Sequence, residues 1–486
     1  MTSSNRVQLA MVPEVTQGVT PNTPRMRICR YTSESIAFNP EYIDSDEIRS
    51  DRMMSDPILT MQSSGGGLNL EVSYPEDNSA LSEIFESAFF NAWVLTPQRD
   101  NDGTADSVIT DVAATGVITV TAGPAFAIGH LIRNTGFGVA QNNGTFRITT
   151  GSATVPSVGA GLLAVEAAPS ATARTKVVGF EGVAGDITAT ATGLGSTTLN
   201  FTTLGLVVGQ AIKIGGSAVG NRFNTAANND YARIIAITAT ALTLDNLPVG
   251  WATDAGTGKT IRVFFGDQIR NGTTRQSLTI ERGFLGQAVP SYIVTRGMHA
   301  ESMQISMASK DKIKASVSFS GMSGGVSTTA LDASPDPETA SPVFAANPNF
   351  GRLAEGGATV VGPNFIRSTE ISISNNLRMI ENLGSISPVD VLPGECTVTG
   401  KSEFYFGDAA ILSKFYAGTP SSQFMAIAKA NRALVFGIPR ITYRGGTNPS
   451  VAGKNQDVTI ALDWQASKDT LTQAAILLDR LEYIEI

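Results

Sequence analysis

Alternating hydrophobic and polar residues predict β-strands over much of the chain. Residues 30–38 (RYTSESIAF), 276–284 (QSLTIERGF), 301–307 (ESMQISM) and 312–319 (KIKASVSF) all show this pattern. A period of two places one side of a strand on a core and the other in solvent. The four residues 308–311 are short enough to join the last two strands as a hairpin.

Two short helices are predicted among the strands. After the strand 68–74, apolar residues recur at helical spacing from residue 80 to 93, and Asn78 or Ser79 can cap the helix. After the strand 395–406, residues 409–417 repeat this arrangement. Each helix therefore follows a strand and has one apolar stripe for packing.

The order of strand, helix and late hairpin occurs twice, which predicts a duplicated core domain. Residues 366–373 resemble residues 29–36, and the strand 457–465 resembles the strand 312–319. The predicted segments are an N-terminal arm (1–28), a split first core domain (29–106 and 266–325), two inserted β domains (107–185 and 186–265), a linker or long loop (326–363) and a second core domain (364–486).

The insert consists of two similar units rich in Gly, Ala and Thr. Asn142-Asn143 in the first unit matches Asn228-Asn229 in the second, and an Arg-Ile pair follows in both. The period is roughly 80 residues, so each unit can form a small β-barrel or sandwich of its own. The predicted fold class is mainly β, with two β-sandwich or half-barrel domains, a short helix in each, and inserted small β domains.

Composition supports this fold and narrows the function. The 48 glycines, 7% aromatic residues and 16% charged residues suit many short strands joined by tight turns. The net charge of −8 argues against sequence-specific DNA binding, because phosphate contacts need basic residues. Residues 1–27 have no apolar core of signal-peptide type, and residues 112–132 are typical of strand–turn–strand, so we expect an unsecreted, soluble protein with no membrane segment.

Residues that carry chemistry are sparse. Cys29 and Cys396 form no disulfide framework or zinc spacing, and His130 and His299 have no catalytic partner nearby in sequence. The segment 256–260 (GTGKT) ends like a phosphate-binding loop, but it lacks the earlier glycine and a β pattern follows it. We predict no catalytic, cofactor-binding or metal site, and a structural protein rather than an enzyme.

One segment, residues 39–60, concentrates charged side chains. A solvated loop explains it in an isolated protein, and a loop that docks on a charged partner explains it in a stacked assembly. Its charged residues are Asp44, Asp46, Glu47, Arg49, Asp51, Arg52 and Asp56. Their spacing does not fit a calcium loop.

The arrangement resembles the tail tube proteins, or major tail proteins, of long-tailed bacteriophages. The resemblance covers 29–106 and 266–486. It rests on the strand and helix of 67–93 and on the segments SLTIERGF, ESMQISM, KIKASVSFSG, ISISNNLR, VTGKSEFYFGD and VTIALDWQAS.

The resemblance implies six β domains around a ring, with their inner sheets joined edge to edge around a lumen. The lumen holds the tape-measure protein and genomic DNA, the rings stack through a long loop and terminal arms, and tail tip and tail terminator proteins close the tube. Because this chain has two such domains, three copies would complete a pseudo-sixfold ring. The resemblance also implies a virion protein assembled in the host cytoplasm.

The same resemblance suggests roles for particular segments. The charged loop 39–60 becomes the candidate ring-to-ring contact, and its shorter, less charged counterpart is 377–392. The hairpins 301–319 and 457–465 are candidate lumen strands, the acidic balance fits a lumen that repels phosphate, and the insert fits the outer face.

Two other functions remain open from sequence. The Gly- and Thr-rich repeats would suit a surface adhesin or receptor-binding protein, although the split core and the absence of a signal peptide argue against it. A glycan hydrolase would need two converging carboxylates, and Trp93, Trp251 and Trp464 lie too far apart in sequence to indicate a substrate groove.

Overall fold

The structure is a computed structural model that describes residues 3–103, 108–360, 362–449 and 453–485. It is mainly β, as predicted. The first elements are β1 (Val7–Pro13), β2 (Arg27–Ile28), β3 (Ser33–Glu34), β4 (Ala37–Ile43), β5 (Ile58–Glu71) and helix α1 (Ala80–Phe89).

Short strands follow α1, and all but the first of them lie in the insert. They are β6 (Gln98–Asp100), β7 (Ile109–Val112), β8 (Ile118–Val120), β9 (His130–Thr135), β10 (Gly144–Arg147), β11 (Glu166–Ala167), β12 (Arg174–Glu181), β13 (Thr188–Thr190), β14 (Gly193–Gly195), β15 (Ala211–Ile214), β16 (Tyr231–Ile237), β17 (Ala241–Asp245) and β18 (Arg262–Phe264).

Longer strands follow the insert. They are β19 (Asp267–Arg270), β20 (Leu278–Phe284), β21 (Ser291–Ala308), β22 (Lys314–Gly321), β23 (Ser323–Ser327), β24 (Phe350–Glu355), β25 (Ala358–Thr359), β26 (Ile366–Ser374), β27 (Arg378–Ile380), β28 (Asp390–Leu392), β29 (Thr397–Tyr405), β30 (Ser421–Lys429), β31 (Arg432–Gly446), β32 (Thr459–Ala466) and β33 (Leu477–Glu482). Helices α2 (Ala346–Asn349) and α3 (Ala410–Ala417) lie among them.

One continuous antiparallel run of eight strands forms the centre of the molecule. Its order is β4–β5–β22–β21–β26–β29–β32–β31. Side chains alternate along these strands, so Leu68, Ile305 and Leu462 are buried on one face while Ser316 and Gln304 are exposed on the other. We call this set of strands the eight-strand run.

The strands around the two halves of the run repeat one topology. In the first half the pairing order is β1–β20–β21–β22–β5, and in the second it is β24–β30–β31–β32–β29. The pairing of β21 with β26 joins the two copies. The duplication expected from sequence is therefore present in the sheet.

Strands β1 and β24 lie in segments where the sequence pattern indicated no strand. β1 belongs to the predicted arm 1–28 and pairs with β20 along its whole length. β24 belongs to the predicted linker 326–363 and pairs with β30. Consecutive residues of β1 are buried on both faces, Leu9 and Met11 on one and Ala10 and Val12 on the other, so the sequence does not alternate.

Helix α1 begins where the sequence predicted. The backbone N–H of Ser82 donates to Ser79 Oγ at 3.3 Å, which caps the helix, and Phe90 ends it in the left-handed conformation. Ile84, Phe85 and Phe89 are fully buried against the core of the eight-strand run. Removing these rings from water is the main stabilisation of this helix.

Nine insert strands form a sheet with the order β10-β9-β12-β18-β15-β16-β17-β14-β13, and β11, β7 and β8 form a separate three-stranded sheet. The insert has a hydrophobic core of its own. Its two units have the same loop structure. Asn143 Nδ2 donates to the carbonyls of Phe137 and Val139, and Asn229 Nδ2 donates to those of Phe223 and Thr225. Pairing of β12 with β18 places both units in one sheet, which the sequence did not indicate.

None of the helices in the described part of the chain is long and apolar enough to cross a membrane.

Candidate assembly surface

The solvent face of the eight-strand run is lined mainly by small uncharged polar side chains. Residues directly opposite one another on neighbouring strands form a row across the face. The row consists of Asn69, Ser316, Gln304, Ser372, Thr399 and Gln465. Such a surface offers hydroxyl and amide groups without a net charge.

The next row carries charges of alternating sign. Its residues are Glu71, Lys314, Ser306, Glu370, Lys401 and Asp463. Lys401 lies between two carboxylates, opposite Glu370 on one side and Asp463 on the other. Opposite charges on adjacent strands attract, so this row is nearly balanced and does not concentrate the acidic charge of the chain.

The hairpins proposed from sequence as lumen strands contribute to this face. The hairpin 301–319 provides the C-terminal part of β21 and most of β22, and the segment 457–465 provides most of β32. The structure brings them into one sheet with β5, β26 and β29.

The charged loop lies at the tip of the β4–β5 hairpin. All seven charged residues predicted as a contact site (Asp44, Asp46, Glu47, Arg49, Asp51, Arg52 and Asp56) are exposed. Arg49 and Asp51 form an ion pair at 2.7 Å. This hydrogen bond lowers the pKa of Asp51 and helps to shape the tip.

The same loop exposes apolar side chains that the sequence analysis did not single out. Ile48 is fully exposed, and Met53 and Met54 are 71% and 81% exposed. Tyr42 and Ile43 on β4 are exposed beside them. The sequence signal that could have identified them is the presence of apolar residues within a charged segment. A cluster of apolar side chains exposed to solvent indicates a contact surface.

A second loop, between β27 and β28, lies next to the first. Leu383 and Ile386 are exposed in it. The backbone N–H of Gln62 in β5 donates to the carbonyl of Ile386 at 2.6 Å. Both copies of the domain therefore present their long loops at the same edge of the molecule.

The insert is attached by a buried ionic cluster. Asp267 of β19 lies 2.5 Å from Lys176 of the insert and 2.8 Å from Arg480 of β33, and Lys176 also contacts Asp77 at 2.9 Å. Burial disfavours the charged form of Asp267, but Lys176 and Arg480 together hold its pKa well below the usual range.

Apolar contacts extend this attachment to the second copy of the domain. Ala211 and Tyr231 of the insert pack with Phe424, Val435 and Leu481 of β30, β31 and β33. The insert thus contacts the second copy on the side of β30 and β31 that faces away from the main core.

The candidate reactive residues lie apart from one another. Burial lowers the pKa of His130 to about 4, and its ring bonds the Leu204 carbonyl. His299 is buried and stacked on Phe90. Burial also raises the pKa of Cys29 to about 12.

Metal ligands and a phosphate loop are likewise not assembled in the described residues. No group of three or more His, Cys, Asp or Glu side chains could hold a metal ion in this part of the chain. The segment 256–260 is a turn that leads into strand β18 and not into a helix.

A duplicated antiparallel β domain with a polar sheet face and exposed loops defines a structural subunit suited to assembly. The family model described as phage tail tube protein matches residues 4–246 and again residues 237–466. The chain belongs to the phage tail tube protein family, and the double match agrees with a duplicated tube domain. It is a structural protein of the bacteriophage tail. No curated protein matches the chain.

Proposed function

We propose that three copies of this chain form a pseudo-sixfold ring, and that stacked rings make a tube through which the phage genome passes into the host. The observation that supports the proposal most is the eight-strand run, because it joins two copies of one domain into a single unit with a core on one face and a polar surface on the other. Two domains per chain mean that three copies supply six domains.

In this proposal the polar face of the run lines the lumen. The uncharged row around Gln304 and the balanced row around Lys401 offer DNA no continuous basic surface. Phosphate groups therefore find no cluster of cations to bind, and the DNA slides. In this proposal DNA slides because the charges on this face are nearly balanced. The net charge of the chain had led us to expect an acidic face that repels DNA instead.

The two tube domains are residues 29–106 with 266–325, and residues 364–486, extended by β1 and β24. The inserted units 107–185 and 186–265 lie outside the tube, since the second unit packs on β30, β31 and β33 and the first is joined to the second by the pairing of β12 with β18. The loop tip with Ile48 and Met54 contacts the next ring. The tape-measure protein fills the lumen before DNA does, and tail tip and tail terminator proteins close the two ends.

We further infer that the role is structural without catalysis, in the virion tail, after assembly in the host cytoplasm. Membership of a tail tube family favours this over a free-standing adhesin or a glycan hydrolase.

Electron microscopy of the purified protein tests the proposal. Negative-stain images should show rings or tubes with a central channel, and averaging of end-on views should give threefold symmetry with six core densities. A protein that stays monomeric under all assembly conditions contradicts the tube. Rings of twelve core densities contradict the trimer.

A further inference from the structure

A cavity of about 260 Å³ lies where the insert meets both copies of the core domain. The insert contributes Arg133 of β9 and Arg174 and Lys176 of β12 to its lining, and the second copy contributes Arg432 of β31. The loop between β5 and α1 adds residues from the first copy. The side chain of Arg174 is 30% exposed, so the cavity opens to solvent. We call this space the junction cavity.

The register of the insert sheet brings cations together at the junction cavity. Lys176 lies directly opposite Arg133 on the neighbouring strand, and Arg174 lies on the same side of β12 as Lys176. Like charges directly opposite one another destabilise a strand pair. The pairing of β9 with β12 therefore needs anions beside it.

The carboxylates of the protein meet this need only in part. The lining of the cavity has four cations and three carboxylates, and those carboxylates belong to Glu76, Asp77 and Glu482. This excess of positive charge contrasts with the net charge of −8 on the whole chain. Burial lowers the pKa of Lys176 to about 8 and also lowers that of Arg174, so the nearby carboxylates do not fully offset the cost of burying these cations.

The three arginine side chains at the junction cavity keep hydrogen-bond donors free. Arg133 and Arg432 donate to carboxylates through Nη1, and Arg174 contacts its carboxylate through Nη2. Among the described residues, the other terminal nitrogen of each side chain has no hydrogen-bond partner, and the buried Nε of each has none either. A guanidinium group matches the oxygens of a phosphate well, so these donors are available to a bound oxyanion.

We propose that the junction cavity binds a tetrahedral oxyanion of the phosphate type. Arg133, Arg174 and Arg432 hold the anion, which supplies the negative charge that the lining lacks. Guanidinium groups from three strands suit an anion with more oxygens than a carboxylate has. A water molecule occupies about 30 Å³ in the liquid, so the cavity has room for phosphate. Because these arginines belong to the insert and to the second copy, the bound anion fastens the insert to the core.

Direct measurement of inorganic phosphate binding tests the site. Equilibrium dialysis of the purified, unassembled full chain with radiolabelled phosphate, at constant ionic strength, should show a single saturable site per chain. Sulfate should compete for this site, whereas acetate should not. Binding is measured directly, because phosphate also stabilises proteins nonspecifically through its exclusion from their surface.

Arg174→Gln should weaken phosphate binding by roughly tenfold, because one charge-assisted hydrogen bond is lost. Asp77 retains Lys176 and Arg480 as partners in this variant, so its charge stays compensated. Arg222→Gln, in an exposed part of the insert, is the matched control and should bind phosphate as the wild type does.

Glu482→Gln should have the opposite effect. Glu482 lies 2.8 Å from Arg133 and 3.4 Å from Arg432, and its neutralisation leaves both cations to the anion. Phosphate should then bind severalfold more tightly. A cluster with a purely structural role would not respond in opposite directions to these two substitutions.

The wild-type measurement alone can overturn the proposal, even if a variant fails to fold. Absence of saturable phosphate binding refutes the site, and equal competition by acetate refutes the phosphate type. Unchanged affinity in Arg174→Gln that is folded by circular dichroism places the binding elsewhere on the chain and refutes the site as well. None of these outcomes depends on ring formation, so the proposed tube function is tested separately.

Discussion

The ammonium group of Lys176 lies 2.5 Å from the carboxylate of Asp267, and both side chains are buried. Lys176 belongs to the insert and Asp267 to the strand β19 that follows it. Arg480 of β33 contacts the same carboxylate oxygen at 2.8 Å. The attachment of the insert therefore depends on charges that come from three distant parts of the sequence.

Lys176→Met should destabilise the unassembled protein by about 3 kcal/mol, because it leaves buried carboxylates without one of their cations. Urea unfolding of the purified chain measures this change. Lys259→Met in the exposed turn of the insert is the matched control and should change stability by less than about 0.5 kcal/mol. Equal losses of stability in the two variants would show that the buried ionic cluster does not stabilise the protein more than an exposed lysine does.

The titration of Asp479 should lower the free energy of unfolding as pH rises. Burial raises its pKa to about 8, so the folded state keeps a proton that the unfolded chain releases near pH 4. Between those values the folded state binds more protons, and this contribution to the free energy of unfolding falls with increasing pH.

Asp479→Asn removes that titration. Relative to the wild type, the variant should gain up to ~1.4 kcal/mol of stability per pH unit between about pH 5 and pH 8. Denaturant midpoints at each pH give the comparison. The control Asp56→Asn, in the exposed loop, should show the same dependence of stability on pH as the wild type. If Asp479→Asn also shows the wild-type dependence, Asp479 is not a buried protonated acid.

Gly66→Ala and Gly400→Ala should both disturb the sheet at equivalent places. An added Cβ meets a backbone carbonyl in each case, so the strands must separate, and we expect a loss of roughly 2 kcal/mol. Gly67→Ala is the control, because its nearest neighbour is the Ser35 hydroxyl at 3.4 Å. Thermal unfolding of the three variants measures the difference. If Gly400→Ala leaves the stability unchanged, Gly66 and Gly400 are not equivalent positions of the two copies.

Ile48→Ser combined with Met54→Ser should leave the chain folded and stop rings from stacking. Both side chains are exposed, so their removal barely affects monomer stability, but stacking loses its apolar contact. Microscopy should show single rings in place of tubes. Leu383→Ser in the second loop is the comparison, and normal tubes from the double variant would place the ring contact elsewhere.

Sequence patterns were sufficient wherever one face of an element is buried and the other is exposed. The strands β20 and β22 and the helix α3 were predicted close to their observed bounds. The start of α1 at Ala80 was also predicted, whereas β21 begins at Ser291, ten residues before the predicted strand. The duplication was also visible, since each copy repeats the same local order. β1 was missed because burial on both faces removes the alternation, and β24 was missed because two of its buried residues, Arg352 and Glu355, are charged.

The sequence by itself determined the β class, the duplicated domain, the repeated insert and the scarcity of reactive groups, because each follows from local periodicity or residue type. Only the tertiary structure decided which strands are neighbours, which edges stay open, and that Lys176, Asp267 and Arg480 meet. Those features depend on contacts between residues far apart in the chain, and pairing energies between distant strands leave no periodic trace in sequence.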